Sequence, residues 1–170
     1  MDEVAETVQL DGGVVVAHDG SKSAQEALRW AGRLTARANL RLHVVRAWSM
    51  TTAPQPASWT PGFVPPLADY EQAVRDELEA HVAAAQLDAD CQVTLHVVHR
   101  APAQALMQAA ENASLLVMGP RGRGGFSGLL LGSVSDKLVH HAPCPVTVVR
   151  TGATGKDLEA VTGENSAVEA

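Results

Sequence analysis

Cysteine is scarce in this chain. Cys91 and Cys144 are the only two in 170 residues, too few for a disulfide framework. Neither Cys-x2-Cys nor His-x3-His spacing marks a metal site. No apolar run approaches the roughly 20 residues of a membrane span. The first residues, Met1-Asp2-Glu3-Val4-Ala5-Glu6, hold acids and no apolar core, so they do not read as a signal peptide. A basic excess is missing as well: the formal net charge is −6. The acids gather at the ends. Asp2, Glu3, Glu6 and Asp11 lie in residues 1–11 without a base. Asp157, Glu159, Glu164 and Glu169 follow Lys156. The stretch between is near neutral. These absences predict no nucleic-acid face, no membrane partner and a cytoplasmic location. The two acidic ends, 1–11 and 151–170, read as disordered tails around one domain at 12–150.

Strands and helices alternate along that domain. Val14-Val15-Val16-Ala17 is a first strand, and Asp19-Gly20-Ser21 is a turn, with Ser21 or Ser23 as the helix N-cap. Ala24, Ala27, Leu28, Ala31, Leu34 and Ala38 follow at helical spacing. A second strand runs from Leu40 to Trp48. Residues 49–66 hold Pro54, Pro56, Pro61, Pro65 and Pro66 and no charge, which marks a long loop. Leu67, Tyr70, Val74, Leu78 and Val82 mark a second helix, and Gln92 to His99 a third strand. Pro102 opens a third helix that runs to about Ala113. Leu115 to Met118 is a fourth strand, Ser133 to about His141 a fourth helix, and Val146 to Val149 a fifth strand. The pattern predicts an α/β fold: a single doubly wound domain with a five-stranded parallel sheet and helices on both faces. Ligands of such sheets sit beyond the carboxyl ends of the strands, where the winding reverses. In one common strand order, 3-2-1-4-5, the ends of strands one and four are neighbours, and that order is adopted here.

Between the fourth strand and fourth helix lies Gly-Pro-Arg-Gly-Arg-Gly-Gly-Phe-Ser-Gly-Leu-Leu-Leu-Gly-Ser, residues 119–133. Glycine allows backbone N–H groups to approach an anion closely, and a helix tip adds its own donors. Arg121 and Arg123 add charge, and Ser133 a hydroxyl. The loop therefore points to a phosphate-bearing ligand, a nucleotide above others. Other phosphate motifs fail. No Lys-Ser/Thr pair follows the second glycine as in a P-loop, and the first strand lacks a dinucleotide fingerprint.

Three features together resemble the universal stress protein family. They are the first strand running into His18-Asp19-Gly20-Ser21, the spacing Gly119-x2-Gly122-x9-Gly132-Ser133, and the ending His141-Ala142-Pro143-Cys144-Pro145-Val146. The likeness covers 12 to 150, and the glycine spacing is similar to that of the ATP-binding subgroup. The resemblance implies an ATP-dependent stress-response regulator, with Mg2+ or Mn2+ carried by the phosphates. It implies that Ala17 and Asp19 border the adenosine, that Val44 meets the adenine through its backbone, and that Met118 packs on the base. Gly119, Arg121 and Gly122 would line ribose and phosphates. Gly132, Ser133 and Val134 would present the helix tip. It also implies a homodimer through the last strand, Val146 to Arg150, and a protein partner that the sequence does not identify. One departure is Pro120, where the family often has a donor; proline has no N–H. Gly122, Gly124 and Gly125 keep theirs.

Alternatives stand beside these readings. Asp19 caps the turn, or it meets the ligand. Arg121 and Arg123 are a solvated pair or anion contacts, Arg121 being favoured inside the glycine frame. A slow ATPase or phosphotransfer enzyme, or a cyclic AMP binder, would use the same pocket. No catalytic or metal-ligating residue is assigned. Histidines are read as structural or surface groups, except that His18 faces either the base or the core. Trp30, Trp48 and Trp59 are read as packing residues, with Trp48 near enough to shield the pocket.

Overall fold

A computed structural model describes residues 4–123, 130–150 and 152. The elements in chain order are β1 (Val14–Ala17), α1 (Lys22–Ala38), β2 (Arg41–Trp48), α2 (Leu67–Ala85), β3 (Gln92–His99), α3 (Pro102–Ala110), β4 (Leu115–Met118), α4 (Ser133–His141) and β5 (Val146–Val148). The five strands are parallel, in the order β3-β2-β1-β4-β5. The Gly-rich segment 124–129 and the expected C-terminal tail, apart from Gly152, lie outside the described residues.

Local chemistry explains the element ends. Ser21 is the N-cap of α1, its Oγ accepting from Ala24 N at 3.2 Å, which satisfies one of the helix's first free donors. Asn39 ends α1 in the left-handed region at φ 51°, a conformation asparagine tolerates. Pro102 stands in the first turn of α3. That helix stops at Ala110 rather than Ala113, because Ser114 N is already committed to Gly13 O at 2.8 Å.

Alternation along the strands builds two cores. On one face Val14, Val16, Leu42, Val44 and Val117 pack against Ala27, Leu28 and Ala31 of α1 and Val74 and Leu78 of α2. On the other, Val15, Val45, Val98, Leu116 and Met118 pack against Leu106 and Ala109 of α3 and Leu138 of α4. Successive side chains in a strand point to opposite faces, and a sheet covered on both sides reads as near-continuous apolar runs.

The expected N-terminal tail requires correction. Residues 4–11 run along the domain. Val8 is 4% and Leu10 7% exposed, both in the α3-side core. His99 N donates to Ala5 O at 2.8 Å, and Val8 N to Gln108 Oε1 at 3.2 Å. The acidic composition masked these two apolar anchors. Trp48 is likewise a core residue, 1% exposed and 4.5 Å from the His99 ring. Trp59 is 41% exposed and does not serve the core.

Candidate functional site

A cleft of about 900 Å³ opens beyond the carboxyl ends of β1, β2 and β4. This is where the winding of the sheet reverses, since β1 lies between β2 and β4. Ala17, Asp19 and Met118 line it from the strand ends. Gly119, Arg121 and Gly122 line it from the glycine loop. Gly132, Ser133 and Val134 line it from the start of α4. Val44 is set apart from these. Its side chain is fully buried in the α1/α2-side core, while its neighbour Val45 lines the cleft. One residue along a strand changes the face, and the sequence did not show which of the two valines turned outward.

The wall on the α3/α4 side is apolar: Val45, Ala47, Leu106, Met118 and Leu138. It makes a pouch suited to a flat, uncharged group. Thr51, Thr52 and Ala53, from the long loop after β2, close part of the opening.

The glycine loop is tied down at several points. Ser23 Oγ donates to Arg121 O at 2.6 Å. Arg123 N donates to Asp19 Oδ2 at 2.8 Å, and Ser21 N to Asp19 Oδ1 at 3.0 Å. Asp19 thus caps the β1–α1 turn and anchors the glycine loop with one carboxylate. Burial raises its pKa, but the hydrogen bonds from Ser21 and Arg123 and the charge of Arg46 outweigh that, leaving it below the usual carboxylate range. Pro120 contributes its carbonyl, which accepts from Gly132 N at 2.8 Å. The proline that lacks a donor therefore joins the two ends of the glycine motif. Ser135 Oγ adds a bond to Gly119 O at 3.0 Å.

Two of the glycines are sterically required. A Cβ on Gly119 would lie 2.5 Å from Ser23 Oγ and 2.9 Å from the Ser23 carbonyl carbon. A Cβ on Gly122 would strike the Asp19 carboxylate. At Gly132, by contrast, the nearest atom would be Arg121 Cα at 3.4 Å, an ordinary contact. Gly132 is the N-cap of α4, and no side chain among the described residues caps that helix. The first N–H groups of a helix have no partner within it, so this tip presents donors at the cleft.

The wall on the α1/α2 side is polar, and most of it was not anticipated. Arg46, in β2, is 3% exposed and pairs with Glu77 Oε2 of α2 at 3.0 Å. Arg123 pairs with Glu77 Oε1 at 2.8 Å. His18 faces this side. Gly20 N donates to His18 Nδ1 at 3.2 Å, so Nε2 carries the proton and donates to Gln25 Oε1 at 3.0 Å. Burial, with a smaller push from His81, lowers the His18 pKa to about 4, against the raising effect of Gln25. A signal for Arg46 existed: a cation inside the strand run 40–48 must find a counter-ion once the sheet is covered on both faces. Its partner, on a distant helix, left no mark in the spacing. Among the described residues no cluster of three His, Cys, Asp or Glu is placed to hold a metal, and no helix is long and apolar enough to cross a membrane.

A doubly wound α/β domain with a glycine loop, a helix tip and an apolar pouch at its switch point defines the class of this protein. Comparison with known proteins makes it specific. Residues 13–150 match the model of the universal stress protein family, and the chain belongs to that family. A universal stress protein of Mycobacterium tuberculosis is 35% identical over 144 residues, covering 81% of this chain and 47% of the relative. The chain thus spans about half the length of the curated relatives it matches. Among solved structures, a universal stress protein in complex with cyclic AMP is 27% identical with a TM-score of 0.57, covering 84% of this chain and 98% of that one. The Lactobacillus plantarum universal stress protein shares the fold, with a TM-score of 0.59 at 20% identity, covering 85% and 100%.

Proposed function

We propose that this protein is an adenine-nucleotide-binding regulator whose ligand is ATP. The observation that carries the reading is the convergence of Gly119, Gly122 and the tip of α4 on one cleft that also holds an apolar pouch. Donors at a helix tip and close backbone approach suit phosphate oxygens, and the pouch suits a base. In this reading Ala17, Val45 and Met118 border the adenine, and Val44 meets it through its backbone. Asp19 faces the ribose. Gly119, Arg121, Gly122, Gly132, Ser133 and Val134 hold the phosphates. Glycine at 119 and 122 lets the loop close on Ser23 and Asp19, which holds its backbone at the cleft. Mg2+ or Mn2+ would arrive with the phosphates, and no protein ligand set is invoked for it. Pairing with a second copy would use the sheet edge at β5, Val146 to Arg150.

Cyclic AMP is the second reading, since one similar protein is described in complex with it. Both ligands use the same pouch and differ at the phosphates.

The test is thermal stability with added ligand. A nucleotide at a hundredfold excess over Kd raises stability by about 2.7 kcal/mol. Mg-ATP should raise Tm, and Gly119→Ala should abolish the rise. Competition of ATP against labelled cyclic AMP then ranks the two. Absence of any shift with saturating ATP, AMP or cyclic AMP would reject the nucleotide reading.

A further inference from the structure

Glu77 stands outside every stretch that the nucleotide reading uses. It lies on α2, more than forty residues before the glycine loop. Yet its two carboxylate oxygens bridge two cations of the cleft, Arg46 at 3.0 Å and Arg123 at 2.8 Å. Both arginines line the cavity, and Glu77 is not among the described residues that do. The carboxylate therefore ties together two arginines of the cleft wall without lining the cleft itself.

The setting gives this carboxylate unusual leverage. Arg46 is almost wholly buried, and its Nε has no hydrogen-bond partner among the described residues. Its charge is balanced by Glu77 and, at longer range, by Asp19. Arg123 reaches Glu77 across Gly20, where a Cβ would meet the guanidinium and where φ is +83°. Two cations thus face two anions, Asp19 and Glu77, and this wall is charge-balanced without a ligand. A buried cation that loses its partner becomes an uncompensated charge, and an arriving anion would then offset it.

We propose that Glu77 is the resident counter-ion of the cleft and sets its selectivity for ligand charge. By neutralising Arg46 and Arg123 it restrains affinity for the anionic part of a nucleotide and leaves affinity for the uncharged part untouched. This rests on the nucleotide reading above. It makes a regulator whose affinity is held down by its own side chain, so that occupancy responds to ligand level rather than staying saturated. A purely mechanical role is the rival. If Glu77 only pins the glycine loop through Arg123, its removal weakens every ligand that uses the loop.

The experiment is calorimetric titration of wild type and Glu77→Gln with adenosine, AMP and ATP, beside the melting temperature of each empty protein. Glutamine keeps the shape and removes the charge. The expected result is ATP affinity raised about tenfold, AMP raised less, and adenosine within twofold of wild type. The empty variant melts below wild type, and its gain in Tm with ATP is the larger. Glu77→Asp, which retains the carboxylate, should restore the wild-type order of affinities. An unchanged ATP-to-adenosine ratio, or weaker ATP binding, would overturn the proposal while leaving the nucleotide reading intact. Failure of adenosine and ATP alike to bind wild type would remove both. Should Glu77→Gln not fold, Arg123→Gln in the half-exposed loop decides. That variant removes one cation and leaves Glu77 in place, so ATP affinity should fall severalfold with adenosine within twofold of wild type; ATP unchanged, or adenosine weakened as much as ATP, would overturn the proposal.

Discussion

The two walls of the cleft are built on opposite principles. On the α3/α4 side, Val45, Leu106, Met118 and Leu138 meet by shape and make no polar contacts there. On the α1/α2 side, Arg46, Glu77, Arg123 and His18 are held by directional bonds between groups far apart in sequence. The same sheet separates them, since neighbouring residues Val45 and Arg46 point to different faces. The apolar wall tolerates a change of side chain if volume is kept. The charged wall tolerates a change only in pairs, because a lone survivor is a buried charge.

The largest effect should therefore come from breaking the charged wall on one side only. Arg46→Met removes a buried cation whose partner is itself partly buried. Glu77→Ala leaves Arg46, with a side chain 4% exposed, only the more distant Asp19 as a counter-charge. The alanine variant should lose about 3 kcal/mol, the lower end of what breaking a buried pair costs. The double variant Arg46→Met, Glu77→Leu should recover most of that loss, because apolar replacements of similar volume often match a buried pair. Urea denaturation of Arg46→Met, Glu77→Leu and the double variant closes the cycle, with Glu77→Ala measured beside them. A double variant as unstable as Glu77→Ala would show that the walls do not differ in the way described.

On the apolar wall, Leu106→Ala should cost about 2 kcal/mol, at the low end for a buried leucine because the cleft already leaves space beside it. The loss should be the same with or without the charged-wall substitutions, since distant sites are additive. Leu106→Met should cost under about 1.5 kcal/mol. The N-terminal strap offers a parallel case outside the cleft. Leu10→Ala should lower stability by about 2 kcal/mol, whereas a free tail would show nothing.

Legibility in the sequence divides along the same line. Val14-Val15-Val16 and Leu115-Leu116-Val117-Met118 announced buried strands, and the glycine spacing 119–133 announced the loop, because period and composition are local properties. The sheet order is adopted as one common order in which the ends of strands one and four are neighbours, and the structure has it. Arg46–Glu77 was not legible. The pair spans 31 residues, and a glutamate on a helix of seven charged or amide side chains reads as one more solvated group. Val8 and Leu10 were hidden for the opposite reason: two apolar residues among acids carry no period. That the Val45 side chain, next to Val44, turns into the cleft needed the register, Val44 opposite Val16 and Val45 opposite Ala17, which only pairing supplies.

Acid should act on both faces of the sheet through histidines that the fold keeps neutral. His18 lies on the charged side. His96, against His43 at 3.0 Å, lies on the other face of β2–β3, and burial with the charges of His43 and Arg75 lowers it to about 4. Each has a folded value below its unfolded value of about 6.5. Between those values the unfolded chain binds more protons, so stability falls as pH drops from about 6.5 to about 4. For well-buried His18 the loss is of order 2 kcal/mol, and for half-buried His96 it is smaller. His18→Gln should flatten the slope measured by denaturation from pH 7 to pH 4.5. An unaltered slope would show that His18 protonates as readily in the fold as in the open chain.

The smallest expected effect separates the two ends of the glycine motif. Gly119 touches Ser23 and Gly122 touches Asp19, whereas Gly132 has room. Its backbone, φ −74° and ψ 163°, is extended and open to any residue. Gly132→Ala should therefore cost under about 1 kcal/mol, because alanine is the poorer N-cap but meets no clash there. Gly119→Ala must displace Ser23 and its bond to Arg121 O, so its loss should exceed 1 kcal/mol. If the α4 tip serves the phosphates, Gly132→Ala should weaken ATP severalfold, because the new methyl stands beside the donors, and leave adenosine alone. Equal losses of stability in the two variants would mean that the tip is packed as tightly as the strand end, and that its donors are not held open for a ligand.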